Sequence, residues 1–220
     1  MQPGATDRLP TLPPVMAMAK MPVAVLVSGS GSNLAALIER STSEPGFGAE
    51  IVVVISDRPS VRALDRAEAA GIPSTVVAWT DFDDRATFTS AVCDVADAHG
   101  AGALVLAGFM RILAPEAIAR FPNKILNTHP ALLPAFPGAH AIRDALDHGV
   151  KLSGVTVHFV DEQVDHGPII AQAAVPVLDG DDEATLLERI QTIEHRLYVD
   201  VVDAFAKGKL HIGERKVVWS

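Results

Sequence analysis

Residues Ile125 to His140 read ILNTHPALLPAFPGAH, and the change of character inside that stretch decides how the whole chain is read. An apolar, strand-like run stops at Asn127 and His129 follows two positions on. Pro130, Pro134 and Pro137, with Gly138, then forbid a helix. A strand that ends on an amide and an imidazole leaves two polar groups at the carboxyl edge of a sheet. In open α/β sheets, ligands bind outside that edge.

The rest of the chain supplies such a sheet. VAVLVS (23–28) is a short apolar run bounded by a glycine loop and reads as a buried strand, with SNLAALIERS (32–41) as the helix after it. EIVVVIS (50–56) is a second strand, and SVRALDRAEAAG (60–71) a helix closed by Gly71. STVVAW (74–79) is a third strand, followed by a helix whose N-cap is expected at Asp81. ALVLAG (103–108) and KILN (124–127) are the fourth and fifth strands, with a helix beginning at Pro115 between them. Past the opening stretch, HAIRDALDHG (140–149) is a short helix. VKLSGVTVHFVDE (150–162) alternates as a half-exposed strand does, and GPIIAQAAVPV (167–177) is its expected antiparallel partner. Leu186, Ile190, Ile193, Leu197, Val201 and Phe205 form the core stripe of a long final helix. The fold class expected is α/β: a Rossmann-like, doubly wound, mostly parallel sheet with a mixed C-terminal part.

The bulk numbers narrow the function. A chain of 220 residues with 49% hydrophobic and 20% charged residues is ordinary for a globular domain. A formal net charge of -9 disfavours a nucleic-acid surface, which needs excess Lys and Arg. The one cysteine, Cys93, lies on the apolar side of a helix and is expected in the core, so neither a disulfide nor a cysteine zinc cluster can form within the chain. The expected location is cytoplasmic. No segment reaches the roughly 20 apolar residues of a membrane span. Residues 1–20, rich in proline, read as a loosely attached tail, and residues 21–220 as a single domain.

SGSGSNL (28–34) joins the first strand to its helix. Gly29 and Gly31 let the backbone turn tightly, and the helix start offers free N–H groups to an anion. Three readings stand here: a phosphomonoester site, a dinucleotide site with Asp57 as the ribose-binding acid, and a tight turn with no ligand. The dinucleotide fingerprint lacks its third glycine, because Leu34 occupies that position.

Asp165, in VDEQVDHGP (160–168), is placed by the chain's return to meet Asn127 and His129 in one cleft with the glycine loop. That set suits a carbonyl passing through a tetrahedral intermediate. Asn127 can donate to a developing oxyanion. His129 can transfer a proton near neutral pH, and Asp165 can hold the imidazolium form. No G-x-S-x-G occurs and Cys93 is expected to be buried, so the attacking group should come from a substrate or from water. The histidines lack metal-ligand spacing, and no metal is expected.

SGSGSNL, VLAGFMRIL (105–113), NTHPALLPAFPGAH (127–140), GVTVHFVDEQVDHGP (154–168) and QTIEHRLY (191–198) together resemble the phosphoribosylglycinamide formyltransferase family, over residues 22 to about 213. The resemblance implies the formyltransferase fold, and direct formyl transfer from 10-formyltetrahydrofolate to the amine of glycinamide ribonucleotide (GAR), in purine biosynthesis. It implies Asn127, His129 and Asp165 as the catalytic set. It implies Gly31, Ser32 and Asn33 on the phosphate of GAR, with Gln191 and Glu194 on its ribosyl side. Arg85, Met110, Arg111, Ile112 and Leu113 would line the formyl-folate pocket. Asn127 and the loop Asp161, Glu162, Gln163, Val164 and Asp165 would complete it. The partners implied are small molecules, with no nucleic acid and no membrane, and a homodimer is left open. Two positions depart from the family's common pattern: Ala131 stands for serine and His166 for glycine. His166 raises the expectation of a second imidazole competing for Asp165. The rivals are a methionyl-tRNA formyltransferase, a formyltetrahydrofolate hydrolase and a non-catalytic nucleotide-binding module.

Overall fold

The computed structural model describes residues 19–220. The tail expected at 1–20 falls outside them except for Ala19 and Lys20, which precede the first strand without regular structure. The chain forms β1 (Met21–Val27), α1 (Ser32–Ser43), β2 (Ala49–Ser56), α2 (Arg62–Ala69), β3 (Ser74–Val76), α3 (Arg85–Ala98), β4 (Ala103–Leu106), α4 (Pro115–Arg120) and β5 (Ile125–His129). Then follow α5 (Ala141–Asp147), β6 (Leu152–Phe159), β7 (Ile169–Pro176), α6 (Glu183–Ala206), β8 (Leu210–Gly213) and β9 (Lys216–Trp219). Among the described residues one sheet holds nine strands, in the order β3-β2-β1-β4-β5-β6-β7-β9-β8. The first five are parallel, β6 and β7 run antiparallel, and β9 rejoins β7 in parallel.

The two-residue period of β1 explains the layers. Val23, Val25 and Val27 face a core shared with α1, α2 and α6. Ala24 and Leu26 face the opposite core, made with α3 and α4. A strand apolar on both faces must be covered on both, which is the doubly wound arrangement. The chain moves outward from β1 to β2 and β3, then restarts at β4 on the other side of β1. The β1–β4 gap is therefore the topological switch point, where such sheets open a crevice.

Four sequence expectations change. The third strand ends at Val76, and Trp79–Asp81 forms a 3-10 turn. The cap of α3 is accordingly Asp84, whose side chain accepts from the Thr87 amide, and not Asp81. The strand β6 is buried along both faces from Ser153 to Phe159, not half-exposed. Its polar members face a hydrogen-bond network: Thr156 Oγ1 donates to the Ala131 carbonyl (2.6 Å) and accepts from the Leu133 amide (3.0 Å). The alternation marked a buried polar seam under the proline loop 130–140. Lastly, the β8–β9 hairpin has no strong period of its own and is absent from the sequence reading.

Cys93 is buried as expected, and burial pushes its thiol up to about 11. Tyr198 fastens α6 to the sheet, because its fully buried hydroxyl reaches the carbonyls of Leu106 (2.9 Å) and Leu126 (3.1 Å). Tyr198→Phe is expected to lower the unfolding free energy by about 1–2 kcal/mol, read as a shift in urea midpoint at constant m.

Candidate active site

Three carboxyl-edge segments meet at the switch point. A cavity of about 230 Å³ is lined by the 28–33 loop after β1, by Ala107, Gly108 and Met110 after β4, by Thr128 and Pro130, and by Leu187, Gln191 and Glu194 of α6. Gly31 is demanded by the fold itself. Its φ is +67°, and a Cβ there would sit 2.7 Å from the Cβ of Ala63. The carbonyls of Gly29 and Ser30 are tied to α2 through the Ala63 amide (3.1 Å) and Arg66 Nε (2.9 Å). The first amides of α1 therefore have no carbonyl of their own loop to satisfy them. Asn33 is buried and its side-chain oxygen has no partner among the described residues. Since amide O and N exchange by a flip, this position can present a donor to an anion. A larger groove of about 370 Å³ lies between α1 and α6; of its two arginines, Arg40 is paired with Glu44 and Asp200, and Arg196 lies 3.9 Å from Asp200.

The alternation of β5 divides the site in two. Thr128 points toward α6, where its hydroxyl donates to Glu194 Oε1 (2.9 Å). Asn127 and His129 point the other way and do not line the cavity. The single cleft expected from sequence is thus two adjoining compartments, with residue 128 between them.

On the Asn127 side the structure builds a chain of polar groups. The antiparallel register sets Asn127 opposite His158, and Asn127 Nδ2 lies 3.2 Å from His158 Nε2. His158 Nδ1 donates to the Phe159 carbonyl (2.8 Å), which leaves Nε2 free to accept from Asn127. Asp165 stands between the two histidines: Oδ2 is 3.3 Å from His129 Nδ1 and Oδ1 is 3.7 Å from His158 Nε2. The Gly138 amide also donates to Asp165 Oδ2 (2.8 Å). His129 Nε2 donates to the Phe136 carbonyl (2.8 Å), so both ring nitrogens face acceptors. Burial acts to raise the Asp165 carboxyl. The nearby His158 ring, the Gly138 amide and the His129 charge outweigh it, and its pKa is lowered.

Asp165 takes φ +50°, a left-handed conformation that turns it inward while its neighbour turns away. His166 consequently does not approach Asp165. Its Nδ1 pairs with Asp161 Oδ2 at 2.7 Å. The imidazole that shares Asp165 with His129 is His158, which sequence reasoning passed over. The β5–β6 register carried that signal, and a single strand read alone does not reveal it.

The other expected residues divide. Met110 and Ile112 are 68% and 53% exposed and Val164 is 49% exposed, and Met110 also lines the cavity at the glycine loop. Leu113 is buried in the core, and Arg85 is exposed and makes no side-chain bond among the described residues. Arg111 stacks on Trp79 and bonds Asp57 (2.7 Å), which Arg58 also holds. Burial raises the Asp57 carboxyl, but the bonds from Arg58, Ser28 and Arg111 outweigh it, and its pKa is lowered. Asp57 is therefore committed to arginines, and the ribose-binding role of a dinucleotide site loses its acid.

A parallel sheet with an anion-ready loop at its switch point and an amide–imidazole–carboxylate chain beside it defines a group-transfer enzyme acting on a carbonyl. The formyl transferase profile matches residues 21–202, and the chain belongs to that family. It is 48% identical to the phosphoribosylglycinamide formyltransferase of Mycobacterium tuberculosis over 182 residues, 83% of each chain. It is 46% identical to the human trifunctional purine biosynthetic protein adenosine-3 over 91% of its own length, and spans only 20% of that protein. Among solved structures it is similar to glycinamide ribonucleotide transformylase 1 from Symbiobacterium toebii, with 44% identity and a TM-score of 0.88, over 91% of this chain and 94% of that one. A formyltetrahydrofolate deformylase from Pseudomonas syringae also matches, at 28% identity and a TM-score of 0.85, over 92% of this chain and 67% of that one.

Proposed function

We propose that this chain transfers the formyl group of 10-formyltetrahydrofolate to the amine of glycinamide ribonucleotide, as a single formyltransferase domain over residues 21–220 in the cytoplasm. The observation that carries the reading is the row of polar side chains Asn127, His158, Asp165 and His129, beside a cavity lined by the 28–33 loop. Phosphate of the ribonucleotide meets the α1 amides, Ser32 and Asn33, while Gln191 and Glu194 face its ribose. Met110, Ile112 and Val164 offer apolar surface to the pterin, and the 161–165 loop borders it.

The formyl folate supplies an electrophilic carbonyl carbon attached to a nitrogen leaving group. The substrate amine forms the new C–N bond at that carbon. Asn127 uses its second Nδ2–H, the one not bound to His158, to hold the developing oxyanion. His129 supplies a second donor once its Nε2 leaves the Phe136 carbonyl, a rearrangement common when catalytic groups first meet substrate. Asp165 holds His129 Nδ1 and relays the amine proton toward the departing N10 as the old C–N bond breaks. No side chain becomes acylated and no metal takes part.

The loop assignment has its own test. Asn33→Ala should raise KM for glycinamide ribonucleotide by about tenfold or more, the scale of a lost charge-assisted hydrogen bond, with KM for formyl folate unchanged. Equal effects on both KM values would sink the assignment.

A further inference from the structure

The loop that delivers Asp165 is held from outside as well as inside. It leaves β6 after Phe159 and returns to β7 at Ile169, its neck closed by the Phe159 amide bonding the Pro168 carbonyl (2.9 Å). Gly167 packs so tightly there that a Cβ would lie 1.8 Å from the Phe159 carbonyl oxygen. On the inner side Asp165 engages His129 and Gly138. On the outer side His166 bonds Asp161, which itself accepts from the Gln163 amide (3.0 Å), so the tip is folded on itself.

The β8–β9 hairpin reaches this outer face. Its turn, Glu214 at φ +52° followed by Arg215, projects just before the one register position at which β9 joins β7, Ile169 opposite Lys216. Trp219 Nε1 donates to the Ile170 carbonyl (3.2 Å), and Ile212 and Val217 pack against the main core, so the hairpin has its own anchorage. Arg215 Nη2 donates to the His166 carbonyl (2.7 Å), and its Nη1 lies 3.2 Å from His166 Nε2. Neither the hairpin nor Arg215 falls within residues 21–202, the span the family profile matches.

We propose that Arg215 is a positioning residue for formyl transfer: through His166 it holds the 161–165 loop in the conformation that presents Asp165 to the polar chain. This rests on the functional reading above, and it acts on the loop rather than on any substrate. The guanidinium meets a carbonyl and a ring at once, so Lys, with a point charge and no planar fork, cannot replace both contacts. Arg215 is exposed, so the effect is graded. Arg215→Ala should raise KM for 10-formyltetrahydrofolate and lower kcat by about two- to tenfold each, the range of an exposed charge-assisted contact, and leave KM for glycinamide ribonucleotide unchanged. His166→Ala should act in the same direction, and since Arg215 can still hold the backbone carbonyl of residue 166 there, the double variant should show less than the sum of the two effects. Arg215→Lys should recover only part of the loss.

Amide hydrogen exchange in the full chain, without substrates, gives a readout independent of turnover. The amides of Gln163, bonded to Asp161, and Gly138, bonded to Asp165, should exchange several-fold faster in Arg215→Ala than in the wild type, with β1 and α1 unchanged. Unaltered protection of the Gln163 and Gly138 amides, or fully additive Arg215 and His166 effects, would overturn the clamp. A wild-type protein that protects this loop through Arg215 but never formylates glycinamide ribonucleotide would overturn the functional reading and leave the clamp standing.

Discussion

Asp165→Asn should lower kcat by about 10²–10⁴-fold, the range of a positioned acid–base group, while the protein stays folded. Asparagine keeps the shape and can still accept from the Gly138 amide. It loses the charge that faces His129 at 3.3 Å and His158 at 3.7 Å. Two imidazoles then share a neutral neighbour, and the imidazolium form of His129 loses its counter-charge. Steady-state kcat at saturating substrates, with thermal unfolding as a fold control, tests this. A kcat within about threefold of the wild type would remove Asp165 from the chemistry.

The same carboxylate fixes a pH dependence. Its pKa is lowered in the folded protein, from the ordinary 3.8. A carboxyl lowered on folding contributes stability that is fully present above 3.8 and is lost as pH falls through the lower folded value. Acid titration of the wild type should show this loss below the ordinary carboxylate range, and Asp165→Asn should flatten that part of the curve.

Asn127→Ala should lower kcat by about 10²–10³-fold, with small changes in either KM, because the donor acts on charge that exists only in the transition state. The geometry supports one free N–H: Asn127 Nδ2 gives one hydrogen to His158 Nε2 at 3.2 Å and keeps the other. Asn127→Asp replaces the donor by an acceptor and should be at least as damaging. A large KM effect with normal kcat would mean Asn127 only binds, and the oxyanion role would fall.

What was legible in sequence follows the range of the interaction. The βα alternation, the glycine loop and the proline-blocked end of β5 are local patterns, and the doubly wound half of the sheet follows from them. Asn127 and His129 were visible because each sits two residues from the other at a strand end, so they share a face. Asp165 was visible from its loop, although its inward turn depends on a left-handed backbone that no residue type announces. His158 was missed because its role arises from cross-strand pairing with Asn127. The burial of β6 was missed because a polar seam under a loop has the same period as a wet face. The separation of Thr128 from Asn127 and His129, and the partner choice of His166, were settled by three-dimensional contacts alone. Arg215 lies 49 positions from His166, beyond any sequence pattern.

The deformylase relative shares the fold, so the acceptor is where the account is most exposed. The decisive measurement is absorbance-monitored deformylation of 10-formyltetrahydrofolate by the purified protein, with and without glycinamide ribonucleotide. The account predicts turnover only when the ribonucleotide is present, in step with formation of its formyl product. Equal turnover without it, releasing formate, would contradict the transferase and make water the acceptor.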